Sequence, residues 1–422
     1  MNPNETAQYL ESLNNNGIRP GLTGISELMK ALSNPERELK FIHIAGTNGK
    51  GSTALFIAEI LKASGFRTGL YRSPAVFKER EIISVNGRNI SEKDYVNLIE
   101  RIKDTGLSFT RFELETALAL LYFKEKNCDI VVLECGMGGE LDATNVVENT
   151  LVSVFTAIGM DHMKYLGGSL SEIAATKAGI IKPGASVVVS YSNGAEALDK
   201  LKKKASECGS ELVTADERKL SKIKYKLKET VFDYDGLKGL STGLLGKNQV
   251  ENAVTAIEAV RALEKKGFKI KQQAYTTGLH NAVNPGRFEI ISEKPVVILD
   301  GAHNEPAAVK LRENIELYFK NKEIIYIMSV LKDKDYTKVI ENTCDLARQI
   351  ITVTSPNRRR ALPAYELAMA VRTVNENVTA ADSIEEAVEL AGLLADRDTV
   401  IVCFGSLSHL SRVRDCFLNK KK

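Results

Sequence analysis

The chain has no C-x-x-C pair, and its six cysteines are scattered over 422 residues. Neither a zinc site nor a disulfide framework is therefore expected, and free thiols indicate a reducing compartment. No apolar run approaches the length of a membrane span, and the N-terminus, MNPNETAQYLESL, is polar and acidic rather than signal-like. These absences predict a cytoplasmic protein with no membrane partner.

The chain also has no large excess of positive or of negative side chains. The formal net charge is +3, too small to indicate nucleic-acid binding, and the lysine tail at 420–422 is expected to be a solvated end. Internal repeats and low-complexity tracts are absent as well. The composition, 44% hydrophobic and 26% charged, is ordinary for a globular protein with a sizeable core. We expect a monomer of two or three domains that acts on small molecules.

The most informative stretch, FIHIAGTNGKGSTALFIAEIL, lies at 41–61. An apolar strand at 41–45 enters a glycine-rich turn, and a helix-forming run at 53–61 follows at once. Backbone N–H groups of such a turn converge on a phosphate, and the helix N-terminus adds partial positive charge. Lys50 can reach the outer phosphates, and the hydroxyl of Ser52 or Thr53 can ligate Mg²⁺. The stretch therefore predicts nucleotide binding.

The match to the common pattern G-x-x-x-x-G-K-[ST] is imperfect, because Gly51 stands between Lys50 and Ser52. The alternative is a loop whose glycines serve only to make turns. The order of strand, lysine, hydroxyl and helix favours the nucleotide.

Strand and helix signals alternate through most of the chain, a pattern typical of parallel α/β layers. The sequence NAVNPG at 281–286 breaks this rhythm and is the predicted linker. We predict an α/β fold with an N-terminal P-loop-type ATPase domain, 1–285, built on a mostly parallel sheet. A smaller Rossmann-like α/β domain, 286–422, should follow without a phosphate loop of its own.

Three polar clusters follow predicted elements of the first domain. The loop 134–145, ECGMGGELDATN, offers glycines, carboxylates and an amide, which suit a Mg²⁺–phosphate site; a long solvated loop is the alternative. His162 ends IGMDH, where a structural histidine is equally expected. Lys177 lies among small residues on a predicted helix, so its amine is either at the surface or close to a buried site.

Two further residues stand out across the predicted linker. Asp300 closes the strand VVIL, where a carboxylate could accept a ribose hydroxyl, and Arg287 could bind a phosphate oxygen. The alternatives are a helix-capping role for the DGAHN segment and a surface position for the arginine.

Together these motifs resemble the folylpolyglutamate synthase/dihydrofolate synthase family of the Mur ligase superfamily. The shared stretches cover nearly the whole chain: AGTNGKGS (45–52), SP (73–74) with ER (79–80), FELETALAL (112–120), ECGMGGELDATN (134–145), IGMDHMKYLG (158–167), KAGIIKPG (177–184), GKNQVENA (246–253), NPGRFE (284–289), DGAHN (300–304), LKDKDY (331–336) and FGSLSHLSRVR (404–414). Three positions depart from the family pattern: Ala75 and Asn248, where histidine is common, and Glu140, where arginine is. The choice of folate substrate therefore stays open.

The resemblance implies a ligase that couples ATP hydrolysis to amide formation. A carboxylate of a folate or of dihydropteroate would attack the γ-phosphate, and the amine of L-glutamate would then attack the acyl phosphate. Two Mg²⁺ ions are implied, with Lys177 converted to a carbamate (N6-carboxylysine) that presents oxygen to the metal. Carboxylate and triphosphate repel each other, so the site must supply positive charge.

The site residues that the resemblance implies fall into four sets. Catalytic residues are Lys50, Glu134, His162 and Lys177. ATP-binding residues are Gly46, Thr47, Asn48, Gly49, Lys50, Gly51, Ser52, Thr53, Gln249, Asn252, Arg287, Asp300 and His303. Metal ligands are Ser52, Ser73, Glu134, His162 and Lys177. Residues at the folate are Ser73, Pro74, Arg80, Phe112, Asp142 and Thr144.

Two alternatives remain. A Mur-type ligase for a peptidoglycan precursor usually carries an additional N-terminal domain, whereas 40 residues precede the first predicted strand here. A nucleotide-dependent switch would bind ATP without ligating anything; the paired metal-ligand candidates and Asp300 argue against it.

Overall fold

An eight-stranded sheet organises the first half of the chain in the computed structural model, which describes residues 1–17, 19–357 and 359–419. The lysine tail at 420–422 lies outside the described residues. The strands are β1 (Phe41–Ala45), β2 (Thr68–Tyr71), β3 (Ile83–Val85), β4 (Arg88–Asn89), β5 (Ile130–Glu134), β6 (Thr150–Phe155), β7 (Ser186–Val189), β8 (Leu212–Thr214), β9 (Leu220–Tyr225), β10 (Thr230–Tyr234), β11 (Leu237–Thr242), β12 (Glu289–Glu293), β13 (Val296–Leu299), β14 (Glu323–Met328), β15 (Gln349–Thr352), β16 (Val378–Ala380) and β17 (Thr399–Phe404).

Helices alternate with these strands. They are α1 (Pro3–Leu13), α2 (Thr23–Ala31), α3 (Lys50–Ala63), α4 (Glu92–Lys103), α5 (Arg111–Glu125), α6 (Met163–Leu166), α7 (Leu170–Ala178), α8 (Ala195–Glu207), α9 (Lys247–Lys265), α10 (Gln272–Asn281), α11 (Glu305–Phe319), α12 (Tyr336–Thr343), α13 (Ala364–Val371), α14 (Ile384–Leu394) and α15 (Leu407–Asn419). No helix among the described residues is long and apolar enough to cross a membrane.

The large sheet has the strand order β4-β3-β2-β5-β1-β6-β7-β8. The pairs β4–β3 and β3–β2 are antiparallel, and the pairs from β2 across β5, β1, β6 and β7 to β8 are parallel. All five residues of β1 are buried because helices cover a parallel sheet on both faces. The carboxyl ends of β2, β5, β1 and β6 therefore lie side by side, which brings four loops to one edge of the sheet.

A second sheet, of six strands, has the order β12-β13-β17-β14-β15-β16. Only β12 is antiparallel to its neighbour. A further sheet has the order β11-β10-β9. The predicted α/β class, with a large mostly parallel sheet followed by a smaller α/β domain, is confirmed.

The chain divides into two compact units by its internal contacts. One unit comprises 1–222, 232–241 and 250–282, and the other comprises 223–231, 242–249 and 283–419 of the described chain. Each unit has its own apolar core: α4 and α5 contribute to one, and α11 and β14 contribute to the other.

Capping boxes fix the start of α5 and α7, two of the helices that carry candidate site residues. At α5, the Thr110 hydroxyl accepts the Glu113 N–H at 3.2 Å, and Glu113 accepts the Thr110 N–H at 2.7 Å. At α7, Ser169 and Glu172 make the same reciprocal pair. Because such caps satisfy N–H groups that a helix leaves unpaired, they define where each helix begins.

Candidate active site

The glycine-rich loop between β1 and α3 is tied to the segment that follows β6. The N–H groups of Thr47 and Asn48 both donate to the Ala157 carbonyl, at 2.8 and 3.2 Å. The Thr47 hydroxyl donates to the Gly159 carbonyl and accepts the Gly159 N–H, each at 2.9 Å. The loop is therefore held in shape by its neighbouring strand end. Helix α3 begins at Lys50, three residues before the helix predicted from sequence.

Gly49 needs to be glycine for two reasons. Its φ is +89°, in the left-handed region, and a Cβ built there would lie 2.3 Å from Oδ1 of Asn252. Asn252 is only 6% exposed, so it has little room to withdraw. The structure thus brings one predicted nucleotide-binding residue against the loop.

We expect Gly49→Ala to lose both stability and nucleotide affinity. A positive φ costs an alanine on the order of 1–3 kcal/mol, and the contact with Asn252 adds displacement of the loop. Gly65→Ala is the matched control at the other end of α3, since its φ is +96° but nothing lies within 4 Å. Thermal denaturation should show a loss for both variants. Calorimetry should show weakened ATP binding only for Gly49→Ala, and equal ATP affinity for both would contradict the role of the contact.

Two lysine side chains meet at the Gly46 carbonyl. The Lys50 ammonium donates to the carbonyls of Gly46 and Thr47 at 3.1 and 3.3 Å, and Lys177 donates to Gly46 at 2.9 Å. Lys177 is 3% exposed. Burial, and next the charge of Lys50, lower the pKa of Lys177 to about 7. The loop thus has two amines within reach of an anion bound at the start of α3.

The carboxylate of Glu134 lies at the end of β5, next to the first turn of α3. It is 4% exposed, and its Oε2 accepts the Ser73 N–H at 3.3 Å. A Cβ on Gly51 would lie 3.2 Å from the same oxygen. Ser52, the next residue, is also buried. The structure therefore brings the Ser73 backbone and the first turn of α3 to Glu134, a carboxylate predicted to hold the first metal ion.

This donor set suits Mg²⁺, which prefers oxygen ligands and usually keeps ligands from water and phosphate. Within the part of the chain that the structure describes, no three His, Cys, Asp or Glu side chains form a group able to hold a metal ion. A divalent cation here would therefore draw on a carboxylate together with hydroxyl and phosphate oxygens.

His162 follows β6 in a left-handed conformation, with φ of +51°. Its ring is 40% exposed, and Nε2 lies 3.8 Å from the Asp161 carboxylate. The negative charge of Asp161 raises the pKa of Lys177, against the effect of burial. The segment 159–162 is thus close enough to Lys177 for their charges to interact.

The loop after β5 is anchored by the buried carboxylate of Asp142. This carboxylate accepts the Met137 N–H at 2.7 Å and both the N–H and the hydroxyl of Thr144, at 3.0 and 2.5 Å. Burial raises the pKa of Asp142. Phe112 reaches the same loop, because a Cβ on Gly136 would lie 2.5 Å from its Cζ. Three residues predicted to bind folate therefore contact one loop.

The same loop packs against the end of α7. A Cβ on Gly139 would lie 2.7 Å from the carbonyl oxygen of Lys177, and the Glu140 N–H donates to the Thr176 carbonyl at 2.8 Å. Glu140, one of the departures from the family pattern, lies with its Cβ against Gly179. The loop and the lysine thus share a rigid backbone contact.

Arg80 lies in the segment between β2 and β3, which begins at the cis peptide bond Ser73–Pro74. Its guanidinium donates to the Ile90 carbonyl at 2.9 Å. The neighbouring Glu81 carboxylate accepts the N–H groups of Val76, Phe77 and Lys78, which fixes the segment 76–78. The hydrogen bond to Ile90 thus ties Arg80 to the residue that follows the β3–β4 hairpin.

In the second unit, Asp300 gathers the predicted residues at the end of β13. Its carboxylate accepts the N–H groups of Phe288 and Ala302, each at 2.8 Å. Burial raises the pKa of Asp300, and the nearby Arg287 charge opposes this rise. The imidazole Nδ1 of His303 lies 2.8 Å from the Gly301 carbonyl.

Gln249 is a buried residue of the same unit, near the start of α9. Its N–H donates to the Gly246 carbonyl at 3.0 Å. Asn248, a departure from the family pattern, has its amide oxygen 2.7 Å from the Cβ that Gly246 would carry.

Sequence reasoning missed His43, which lies in the middle of β1 and is fully buried. Its Nε2 lies 2.8 Å from the Thr144 hydroxyl and 3.1 Å from the Cys135 sulfur. A single polar residue inside an otherwise apolar strand, FIHIA, was the available signal.

Comparisons with known proteins first define the class. Residues 44–260 match the Mur ligase middle domain, and residues 286–407 match the Mur ligase glutamate ligase domain. The matches place the glycine loop in the first domain and Asp300 in the second.

Individual relatives define the family. The dihydrofolate synthase/folylpolyglutamate synthase of Bacillus subtilis (strain 168) is 34% identical, over 94% of this chain and 95% of its own length. The structure of Mycobacterium tuberculosis folylpolyglutamate synthase complexed with ADP and AMPPCP is 30% identical, with a TM-score of 0.88 over 97% of this chain and 98% of that one. A bifunctional folylpolyglutamate synthase/dihydrofolate synthase with Mn, AMPPNP and L-glutamate bound is 28% identical, with a TM-score of 0.84 over 98% of each chain. The chain belongs to the folylpolyglutamate synthase/dihydrofolate synthase family.

Proposed function

We propose that this protein is an ATP-dependent ligase that adds L-glutamate to a tetrahydrofolate, to dihydropteroate or to both. The observation that carries the proposal is the convergence of Lys50, Lys177 and Glu134 around the glycine loop. Two amines and a carboxylate beside a helix N-terminus suit a triphosphate with its cation. The bound ligands of the relatives, which are ADP, AMPPCP, AMPPNP, Mn and L-glutamate, support this reading.

The reaction consists of two displacements. A carboxylate oxygen of the pteroyl substrate forms a bond to the γ-phosphorus as the bond to ADP breaks. The glutamate nitrogen then forms a bond to the acyl carbon, the bond to phosphate breaks, and the amine loses a proton. Lys50 stabilises the charge on the transferring phosphoryl group, and Arg287 binds a phosphate oxygen. Glu134 and Ser52, which are both buried, would limit the access of water to the acyl phosphate.

We propose two Mg²⁺ sites. A bound Mg²⁺ ion would neutralise phosphate charge and polarise the reacting groups. Ser52, Ser73 and Glu134 hold the first site, and Glu134, His162 and carbamylated Lys177 hold the second. A carbamate converts the Lys177 amine into an oxygen donor, which Mg²⁺ prefers. The burial of Lys177 favours this modification because its amine is more readily neutral there.

The remaining proposals concern the domains, the nucleotide and folate contacts, and the state of the protein in the cell. We propose a nucleotide-binding and catalytic domain at 1–285 and a glutamate ligase domain at 286–422, a division supported by the family matches to 44–260 and 286–407. Gln249 and Asn252 contact adenine; Asp300 and His303 complete nucleotide binding. Folate lies near Ser73, Pro74, Arg80, Phe112, Asp142 and Thr144. We also propose that the protein is a cytoplasmic monomer with no nucleic-acid or membrane partner.

The deciding experiment offers dihydropteroate and tetrahydrofolate separately, with ATP, Mg²⁺ and labelled L-glutamate. Labelled product is expected with at least one acceptor, and phosphate release should need both the acceptor and glutamate. Phosphate release that ignores both would indicate a nucleotide switch instead.

We expect Asp300→Ala to weaken ATP binding. The change frees the Phe288 and Ala302 N–H groups and removes the carboxylate beside Arg287. Asp398→Ala is the control, since the Asp398 side chain is 80% exposed. Calorimetry should show weaker ATP binding for Asp300→Ala alone, with circular dichroism reporting the fold. Unchanged ATP affinity would exclude Asp300 from the nucleotide site.

A further inference from the structure

His43 is a buried histidine of the central strand and is not among the residues predicted to bind a substrate. It is 0% exposed, and its strand pairs with β5 on one side and β6 on the other. Its Nε2 faces Thr144, on the loop after β5, at 2.8 Å. A polar side chain at the centre of a parallel sheet costs stability unless it makes a hydrogen bond. His43 meets this condition through its hydrogen bond with Thr144.

The hydrogen bonds around Thr144 determine which tautomer of His43 is present. Thr144 has one hydroxyl proton, and its oxygen lies 2.5 Å from the Asp142 carboxylate. That distance is typical of an O–H donating to an ionised carboxylate, the form that the N–H groups of Met137 and Thr144 stabilise against the effect of burial. The Thr144 oxygen must then accept from His43, so Nε2 carries the proton and Nδ1 does not.

The rest of the histidine's surroundings agree with this tautomer. Nδ1 has no hydrogen-bond partner among the described residues. A bare nitrogen tolerates this better than an N–H would, because a buried donor without an acceptor is costly. Burial lowers the pKa of His43 to about 3, so the ring is neutral. The Cys135 sulfur, 3.1 Å from Nε2, is a weak second acceptor for the same proton.

A directed chain of hydrogen bonds results, from His43 to Thr144 to Asp142. Asp142 in turn holds the Met137 N–H, so the chain runs from the sheet centre into the loop 136–144. We propose that His43 is a positioning residue for the pteroyl substrate, acting through Thr144 to orient the Asp142 carboxylate. The proposal rests on the proposed function, which places Asp142 and Thr144 at that substrate.

Steady-state kinetics on four single variants and one double variant test this role. His43→Leu removes the donor, whereas His43→Gln can present an amide N–H near the position of Nε2. We expect His43→Leu to raise the KM for the pteroyl substrate about 10-fold, as for a lost buried hydrogen bond. The KM for ATP and for glutamate should stay within about twofold, and His43→Gln should lie closer to the native enzyme.

Ser153→Ala is the matched control. Ser153 is the register neighbour of His43 on β6, equally buried, and its hydroxyl donates to the Ile180 carbonyl at 3.1 Å. It lies outside the chain to Asp142, so all three KM values should be unchanged. Thr144→Val is the fourth variant and covers the case in which His43→Leu does not fold. Thr144→Val should show the same selective rise in the KM for the pteroyl substrate. The double variant His43→Leu/Thr144→Val should have a pteroyl KM no higher than that of Thr144→Val alone.

Three results would overturn the proposal: an unchanged pteroyl KM in folded His43→Leu or Thr144→Val, an equal rise for all three substrates, or a Gln variant no better than Leu. Failure of the proposed function is distinguishable, because the native protein itself would then form no labelled product.

Discussion

Lys50→Ala should lower ligase turnover by about 10³-fold while leaving the protein folded, a loss typical of removing a group that stabilises charge in the transition state. The Lys50 ammonium already lies over the glycine loop, on the carbonyls of Gly46 and Thr47. In the proposed site, charge on the transferring phosphoryl group would develop next to Lys50, and Mg²⁺ alone would leave part of that charge unneutralised.

The control for Lys50→Ala is Lys202→Ala, which removes an exposed lysine from α8. Both variants lose one positive charge from the same unit, so a general electrostatic effect would appear in both. Glutamate incorporation is measured with circular dichroism as the check of folding. Near-native incorporation by folded Lys50→Ala would refute the assignment of the loop.

Lys177→Ala should also abolish most turnover, and small additives should reveal why. If Lys177 carries a carbamate, the lost group is an oxygen anion at the metal, and acetate at high concentration should partly restore turnover. If the amine itself binds phosphate, methylamine should rescue and acetate should not. A surface lysine would cause little loss, but the side chain is only 3% exposed.

The Lys50→Ala variant is the matched control for this rescue, because it also lacks an amine at the Gly46 carbonyl. Acetate should not restore it, since no metal ligand is missing there. Turnover is measured for each variant alone, with acetate and with methylamine. Rescue of Lys177→Ala by methylamine alone would exclude the carbamate.

Much of the sheet was predictable from sequence because buried parallel strands are short apolar runs. The predicted strands at 41–45 and 296–299 are confirmed residue for residue. The start of α4 is also set locally, since the Ser91 hydroxyl accepts the Asp94 N–H at 3.0 Å. The signals for these elements are local in sequence. An apolar run marks each strand, and the capping serine lies three residues from the N–H that it accepts.

Other elements depended on contacts that sequence does not show. Helix α10 contains Gly278, and glycine lowers helix propensity. The structure supplies the reason for this glycine, since a Cβ there would lie 2.5 Å from the backbone of Ile60 on α3. The glycine permits a close approach of two helices, and that reason exists only in the folded protein. Lys177 and Gly46, which meet at 2.9 Å, are likewise 131 residues apart.

The site residues also fall into two groups, those that local motifs predict and those that depend on contacts between distant parts of the chain. Lys50 and Glu134 stand in motifs at strand ends, where topology alone predicts ligands. His43 has no neighbouring motif residue that faces it, because its partner Thr144 is 101 residues away. The role proposed for His43 could not be predicted from sequence, because it requires the loop after β5 to lie beside β1.

The ties from Thr47 and Asn48 to the segment after β6 also bear on entropy. A glycine-rich loop left free would have to lose conformational freedom each time a nucleotide bound, at about 1–2 kcal/mol for each ordered residue. Here four hydrogen bonds with Ala157 and Gly159 order the loop as the chain folds. That cost therefore falls on folding rather than on each catalytic cycle, and more of the intrinsic attraction for phosphate remains as affinity.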